Sequence, residues 1–303
     1  MPTLSVIQTS AMRMNLSVLG RFTSKCLQRD PFPHLIIQHC LAEEIFLELE
    51  NTYPSDTEII ELNRWRVPEP SENQRVDISA KDFKKNGERF TSLWREFIDY
   101  HTSSEFFAEV MNLFGDDLEK YHGEKADFLK SQKNVGTRFA EDDIWPISLD
   151  CQIGINTPCS KTSSVIGPHV DFPEELYAGL LYFRRPGEIA KGGDLNLYGW
   201  NSRARRTYRG HLVHPLNQIQ LFKTVRYEPN MLVLFLNTPD SVHGVSPREP
   251  SARSRRLVNI IGEVYNVYPK GLFRRDQTTS RVIRRAMKRT SRRVLGALKR
   301  LRP

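Results

Sequence analysis

The stretch Gly167-Pro168-His169-Val170-Asp171-Phe172-Pro173 decides how this chain is read. On extended backbone, residues two apart project to the same face. His169 and Asp171 can therefore both point at one ion. The natural third group is His243, in Asn237-Thr238-Pro239-Asp240-Ser241-Val242-His243-Gly244-Val245-Ser246-Pro247, directly after the apolar run 231–236.

Two imidazoles and one carboxylate suit Fe(II), and on one face they leave three coordination positions open. A bidentate 2-oxo acid takes two of these and dioxygen the third. A closed four-ligand site could not hold both. The competing reading is a surface turn plus an unrelated histidine, because an isolated H-x-D arises by chance in any long chain. What gives the pattern weight is the order of its surroundings.

Outward from the motif, short β-type runs at 149–155, 176–183, 193–198, 219–226, 231–236 and 256–265 alternate with Asn, Pro and Gly. Many short strands at this spacing predict a sandwich or barrel, not a parallel α/β sheet. Upstream, Asp30-Pro31-Phe32-Pro33-His34-Leu35-Ile36-Ile37 predicts a strand entered through a Pro-stiffened turn, and 41–50 a helix. The polar span 51–80, with Pro54, Pro68 and Pro70, reads as loop. Phe90, Leu93, Trp94, Phe97 and Ile98 follow the helical i, i+3, i+4, i+7, i+8 pattern over 88–100. A second helix starts near Ser104 as N-cap, buries Phe106, Phe107, Val110, Met111 and Phe114, and can close at Gly115.

In sequence order come a β-rich segment, the His-x-Asp motif, a strand, the turn Gly192-Gly193-Asp194 with a further strand, an apolar strand, His243-Gly244-Val245 and the arginine-opened strand Arg255-Arg256-Leu257. Over roughly 147–265 this order resembles the prolyl-4-hydroxylase-like branch of the 2-oxoglutarate/Fe(II) oxygenases. The resemblance implies a double-stranded β-helix (a jelly roll, cupin-like) supported by N-terminal helices, with Fe(II), 2-oxoglutarate and O₂ as cofactor and cosubstrates and ascorbate as a candidate auxiliary. It implies hydroxylation of a substrate with decarboxylation of 2-oxoglutarate to succinate and CO₂. It further implies a basic residue near the start of the last core strand that pairs with the far carboxylate of 2-oxoglutarate. Arg255 and Arg256 are the candidates, and strand alternation lets only one of them point inward. Arg253, ten residues after His243, also fits a spacing found in the family. Arginine suits the role because its planar fork matches a carboxylate with two hydrogen bonds. Tyr182 resembles a tyrosine that some members turn to the same carboxylate; otherwise it is a core aromatic. Related halogenases lose the carboxylate ligand so that chloride can bind iron, so Asp171 favours oxygenation.

The implied organisation is a loosely ordered 1–29, one domain over 30–270 (helical support 30–146, β core 147–270), and a basic amphipathic helix over 271–303. The net charge of +8 belongs to that tail: twelve of its residues are Lys or Arg and one is acidic, which leaves residues 1–270 at −3. An apolar stripe of Ile283, Met287, Val294, Leu298 and Leu301 makes an anionic membrane surface a somewhat better partner than nucleic acid. A solvated tail competes with both. Cys26, Cys40, Cys151 and Cys159 form no C-x-x-C pair and suit a reducing cytoplasm. Residues 1–25 hold no acid and faintly resemble a transit peptide. His211 and His214 have poor metal spacing. The substrate, a small molecule or a protein, is expected to meet 61–80, 157–166 and 199–218, including the Arg-rich 201–209. Two other classes stay open: a non-catalytic cupin-like metal protein, and a membrane- or nucleic-acid-binding module acting through the tail.

Overall fold

The computed structural model describes residues 16–139, 145–201, 213–264, 267–268 and 271–273. In chain order the strands are β1 (Leu27–Gln28), β2 (His34–Gln38), β3 (Arg75–Ile78), β4 (Val135–Thr137), β5 (Ile147–Asn156), β6 (Glu175–Tyr182), β7 (Leu195–Trp200), β8 (Ile219–Val225), β9 (Met231–Leu236), β10 (His243–Val245) and β11 (Arg255–Glu263). The α-helices among the described residues are α1 (Glu43–Asn51), α2 (Asp56–Asn63), α3 (Ala80–Lys85), α4 (Ser92–His101), α5 (Ser104–Leu113), α6 (Gly115–His122) and α7 (Lys125–Ser131).

Period-two burial explains the layering. On β9, Leu232, Leu234 and Leu236 enter one apolar core with the helices. Met231, Val233 and Phe235 enter a second core with Leu195, Leu197 and Val225 of β7 and β8. On β5, Ile147, Leu149, Cys151, Ile153 and Ile155 face the helices. The alternate residues Ser148, Asp150, Gln152, Gly154 and Asn156 therefore face the other way. All ten residues of β5 are buried, because both faces of the sheet are covered.

The large sheet runs β1-β2-β9-β6-β11-β5-β3, with β4 parallel to β5, and the small sheet runs β10-β7-β8. An isolated bridge between His169 and His243 adds the His-x-Asp segment to the small sheet beside β10. From β5 onward the chain thus visits large, small, large, small, small, large, small and large sheets. That winding is a double-stranded β-helix, as expected, with the metal-ligand candidates on its small sheet.

The helical layer packs on the outer face of the large sheet. Trp94 of α4 meets Tyr53 and Phe97 edge-on and tilts against Phe183. Side chains buried to this degree each contribute about 1.5–3 kcal/mol. Three sequence expectations give way here. Residues 51–80 are not simply loop: α2 is opened by a capping box between Ser55 and Glu58, and β3 pairs with β5. Gly115 begins α6, and Phe114 caps α5. Ser103, not Ser104, is the N-cap of α5, accepting from the Phe106 N–H. The N-terminus is packed from residue 16: Leu16, Ser17, Val18 and Leu19 are buried. Residues 1–15 and the basic stretch 274–303 lie outside the described residues.

Val18 also sets a titration. Its N–H donates to His101 Nε2 at 3.2 Å, and the other ring nitrogen meets the Phe97 carbonyl at 2.7 Å. Burial pushes the His101 pKa down to about 3, against the pull of that carbonyl. The unfolded chain takes up this proton near its ordinary value of 6.5, so stability falls as pH drops through that value. Between about pH 7.5 and about pH 5, wild type should lose roughly 2 kcal/mol relative to His101→Gln in urea unfolding. Parallel pH profiles for the two proteins would contradict this.

Candidate metal centre

His169 and His243 face each other across two strands joined by reciprocal backbone bonds. The His169 N–H donates to the His243 carbonyl at 2.8 Å, and the His243 N–H returns to the His169 carbonyl at 2.9 Å. The approach is close because residue 244 is glycine. A Cβ there would lie 2.8 Å from Gly167 C and Pro168 N. Two residues along, the Asp171 carboxylate reaches both rings: Oδ1 is 3.4 Å from His169 Nε2, and Oδ2 is 3.6 Å from His243 Nε2. One ligand atom from each of the three residues lies within 4.8 Å of the others, and all three residues are buried. Among the described residues this is the one grouping of His, Cys, Asp and Glu that could hold a metal.

The ring nitrogens away from the centre are already engaged. His169 Nδ1 meets the Gly167 carbonyl and His243 Nδ1 the Ser241 carbonyl, each at 2.9 Å. These bonds fix the protons on Nδ1 and turn the Nε2 lone pairs to the centre. Burial pushes the His243 pKa down to about 4; Asp171 opposes the shift and His169 adds to it. The imidazole is therefore neutral and available as a ligand. Phe235 packs against the His243 ring with centroids 4.5 Å apart.

Asn237 couples the two ligand segments. Its Nδ2 donates to the carbonyls of Phe172 and Glu175 at 2.8 and 2.9 Å, and its Oδ1 accepts from Ser241 Oγ at 3.0 Å. One fully buried side chain thus braces the residue after Asp171 and the residue two before His243.

Strand register decides which arginine faces the inter-sheet space. Arg255 pairs with Asn156 of β5, is 2% exposed, and faces the inter-sheet side with Leu257. Its guanidinium lies 4.7 Å from the Tyr182 ring and 4.3 Å from the Tyr227 ring. Arg255 Nε and one terminal nitrogen are buried without an acceptor carboxylate among the described residues, and the buried Tyr182 hydroxyl lies within reach of the Arg255 guanidinium. Burial raises the Tyr182 pKa, while Arg255 opposes this. Arg256 points the other way, 4.8 Å over the Tyr53 ring. Arg253 is exposed and reaches the Pro186 carbonyl.

Sequence reasoning missed Tyr227, which stacks on Arg255 and whose N–H is held by Asp194 Oδ1 at 2.8 Å. It also missed Arg75 and Arg248, each with buried, unpartnered guanidinium nitrogens. The Asp194 of the Gly-Gly-Asp turn was the available signal for Tyr227. His214 is buried beside Trp200 and outside the metal grouping, and His211 lies outside the described residues. Cys151 and Cys159 are buried free thiols.

The residues fit both groups that the fold implies. Three open-faced nitrogen and oxygen ligands suit Fe(II), and buried guanidinium and phenol donors suit a carboxylate. Removing the brace should show in metal binding: Asn237→Ala should weaken Mn(II) or Co(II) affinity by about 10–100-fold by calorimetry. An unchanged affinity would deny Asn237 its positioning role.

No protein-family model and no curated protein sequence matches the chain. Among solved structures, it is similar to a prolyl 4-hydroxylase from Phytophthora capsici (16% identity, TM-score 0.42), over 84% of this chain and just under two thirds, 66%, of the other. It is similar to a prolyl hydroxylase from Trichoplax adhaerens, solved with a hypoxia inducible factor peptide fragment (12% identity, TM-score 0.41, 87% of this chain and 94% of the other). It is also similar to SnoK, a non-heme alpha-ketoglutarate-dependent carbocyclase from nogalamycin biosynthesis (13% identity, TM-score 0.43, 82% and 86%). These are likenesses of fold. At such identities and TM-scores they assign neither substrate nor chemistry, which lie in the residues described above.

Proposed function

We propose that this chain is an Fe(II)- and 2-oxoglutarate-dependent oxygenase that hydroxylates its substrate. One observation carries the reading: a His169–Asp171–His243 centre shares the inter-sheet space with Tyr182 and with Arg255, whose buried guanidinium nitrogens meet no carboxylate among the described residues. A buried guanidinium without an acceptor is costly, and a carboxylate would satisfy it with charge-assisted bonds.

In this reading, His169 and His243 bind the metal through Nε2 and Asp171 through its carboxylate. When bound, Fe(II) and 2-oxoglutarate supply oxygen activation, with the 2-oxo acid released as succinate and CO₂. Arg255 holds the far carboxylate and sets the distance of the 2-oxo group from the centre. Tyr182 donates its hydroxyl to that carboxylate, and Tyr227 keeps the guanidinium in place by stacking. Apolar residues around this space, including Leu195, Leu197, Val233 and Leu257, keep water away from it.

Two predictions follow from the geometry. Purified protein with Fe(II), ascorbate and O₂ should convert 2-oxoglutarate to succinate, and His169→Ala should not; an inactive wild type that also fails to bind 2-oxoglutarate would end this reading. Arg255→Gln should weaken 2-oxoglutarate binding by roughly 30-fold or more, the cost of removing one partner of a buried charge pair. Arg256→Gln should leave that affinity within about threefold, as expected of a residue outside the pocket. Equal losses in the two variants would reverse the inward assignment.

A further inference from the structure

Strand β3 brings a second arginine to the inner face. Val76 and Ile78 pack into the helix-side core, so Arg75 and Asp77 face the other way. Asn156 of β5 is the register partner of both Arg75 and Arg255. The two arginines therefore flank one asparagine in a row across three strands, with their Cα atoms roughly 10 Å apart. Asn156 Oδ1 is itself buried without a partner.

Arg75 lies across β5 because residue 154 is glycine: a Cβ there would sit 2.9 Å from Arg75 Nε and 3.3 Å from a terminal nitrogen. Those two nitrogens are buried and unpartnered, and the nearest carboxylate, Asp77 Oδ2, stands 3.9 Å from Nε. Asp77 is shared with Arg66 at 3.3 Å. Among the described residues the guanidinium thus has a loose counter-charge and no hydrogen-bonded acceptor.

Arg75 also lines a cavity of about 410 Å³ between residues 71–75 and 163–165. The volume is in the range of a small-molecule site. Its walls are mainly polar, from Asn73, Gln74, Ser163 and Ser164. The one acid in the wall, Glu72, is turned to Ser160, accepting from its N–H at 3.0 Å and its hydroxyl at 2.8 Å. The wall residue Val165 is four positions before His169, so no more than roughly 14 Å of chain separates the cavity from the metal ligand.

We propose that this cavity is the primary-substrate subsite and that Arg75 binds an anionic group, carboxylate or phosphate, of a small polar substrate. The inference rests on the oxygenase reading, which gives Arg255 to the cosubstrate and leaves Arg75 for the molecule being oxidised. Two guanidiniums on one sheet face repel each other, and an anion at each removes that cost.

The test uses the full-length protein loaded with Mn(II) and saturated with 2-oxoglutarate, titrated calorimetrically with inorganic phosphate and, separately, acetate. Wild type should bind at least one of the two, and the tighter one names the anion class. Arg75→Gln should weaken that binding by roughly tenfold or more, Arg75→Lys less, and neither should change 2-oxoglutarate affinity. Thermal unfolding of both variants checks that they remain folded. The proposal is overturned if wild type binds neither anion, if Arg75→Gln binds as wild type does, or if Arg75→Gln loses 2-oxoglutarate as Arg255→Gln does. Failure to load Mn(II) or 2-oxoglutarate would instead count against the oxygenase reading, and the anion titration would still score Arg75.

Discussion

The reciprocal backbone bonds between His169 and His243 are the constraint around which the centre is built. They hold two strand segments so close that Gly244 admits no side chain, and they set both imidazoles on one side of the pair. Strand alternation places Asp171 on the face of His169. The Asn237 side chain then locks the two segments against the end of β9. The centre is thus a product of strand pairing, and its three side chains carry little freedom of their own. Such rigidity is what a metal site needs in order to keep open positions open.

The inter-sheet space has two characters. One part is apolar, walled by β7, β8 and β9. The other, over β3, β5 and the start of β11, carries charge. Arg255 is tolerated there because two tyrosine rings cover its guanidinium, which lowers the cost of desolvation without using up its donors. Among the described residues Arg75 has only the loosely placed Asp77 as counter-charge. A protein that buries guanidinium nitrogens without acceptors loses stability unless something else satisfies them, which is the ground on which an anion is proposed at each.

How much of this was legible depended on the range of the cause. The grouping of His169, Asp171 and His243 was readable because i, i+2 alternation and one apolar strand before His243 are local facts. The β-helix strands were readable for the same reason. Helix α2 was missed although its capping box, Ser55 and Glu58, stands in the sequence; the prolines and polarity of 51–80 outweighed it. Strand β3 hid because only Val76 and Ile78 are apolar and its other face is charged. Seeing that Arg255 and not Arg256 faces the inter-sheet space required the register with Asn156, and finding Arg75 required knowing that β3 lies beside β5. Both facts come from pairing across distant segments, which no local pattern encodes.

The central claim is that one metal ion sits between His169, Asp171 and His243 and has no fourth protein ligand. Anomalous diffraction at the iron edge, from crystals grown anaerobically with Fe(II) and 2-oxoglutarate, tests it most directly. The account predicts one peak within coordination distance of His169 Nε2, His243 Nε2 and an Asp171 oxygen, with density for the 2-oxo acid running from the metal toward Arg255. A peak elsewhere, or a fourth protein side chain closing the coordination sphere, would contradict it.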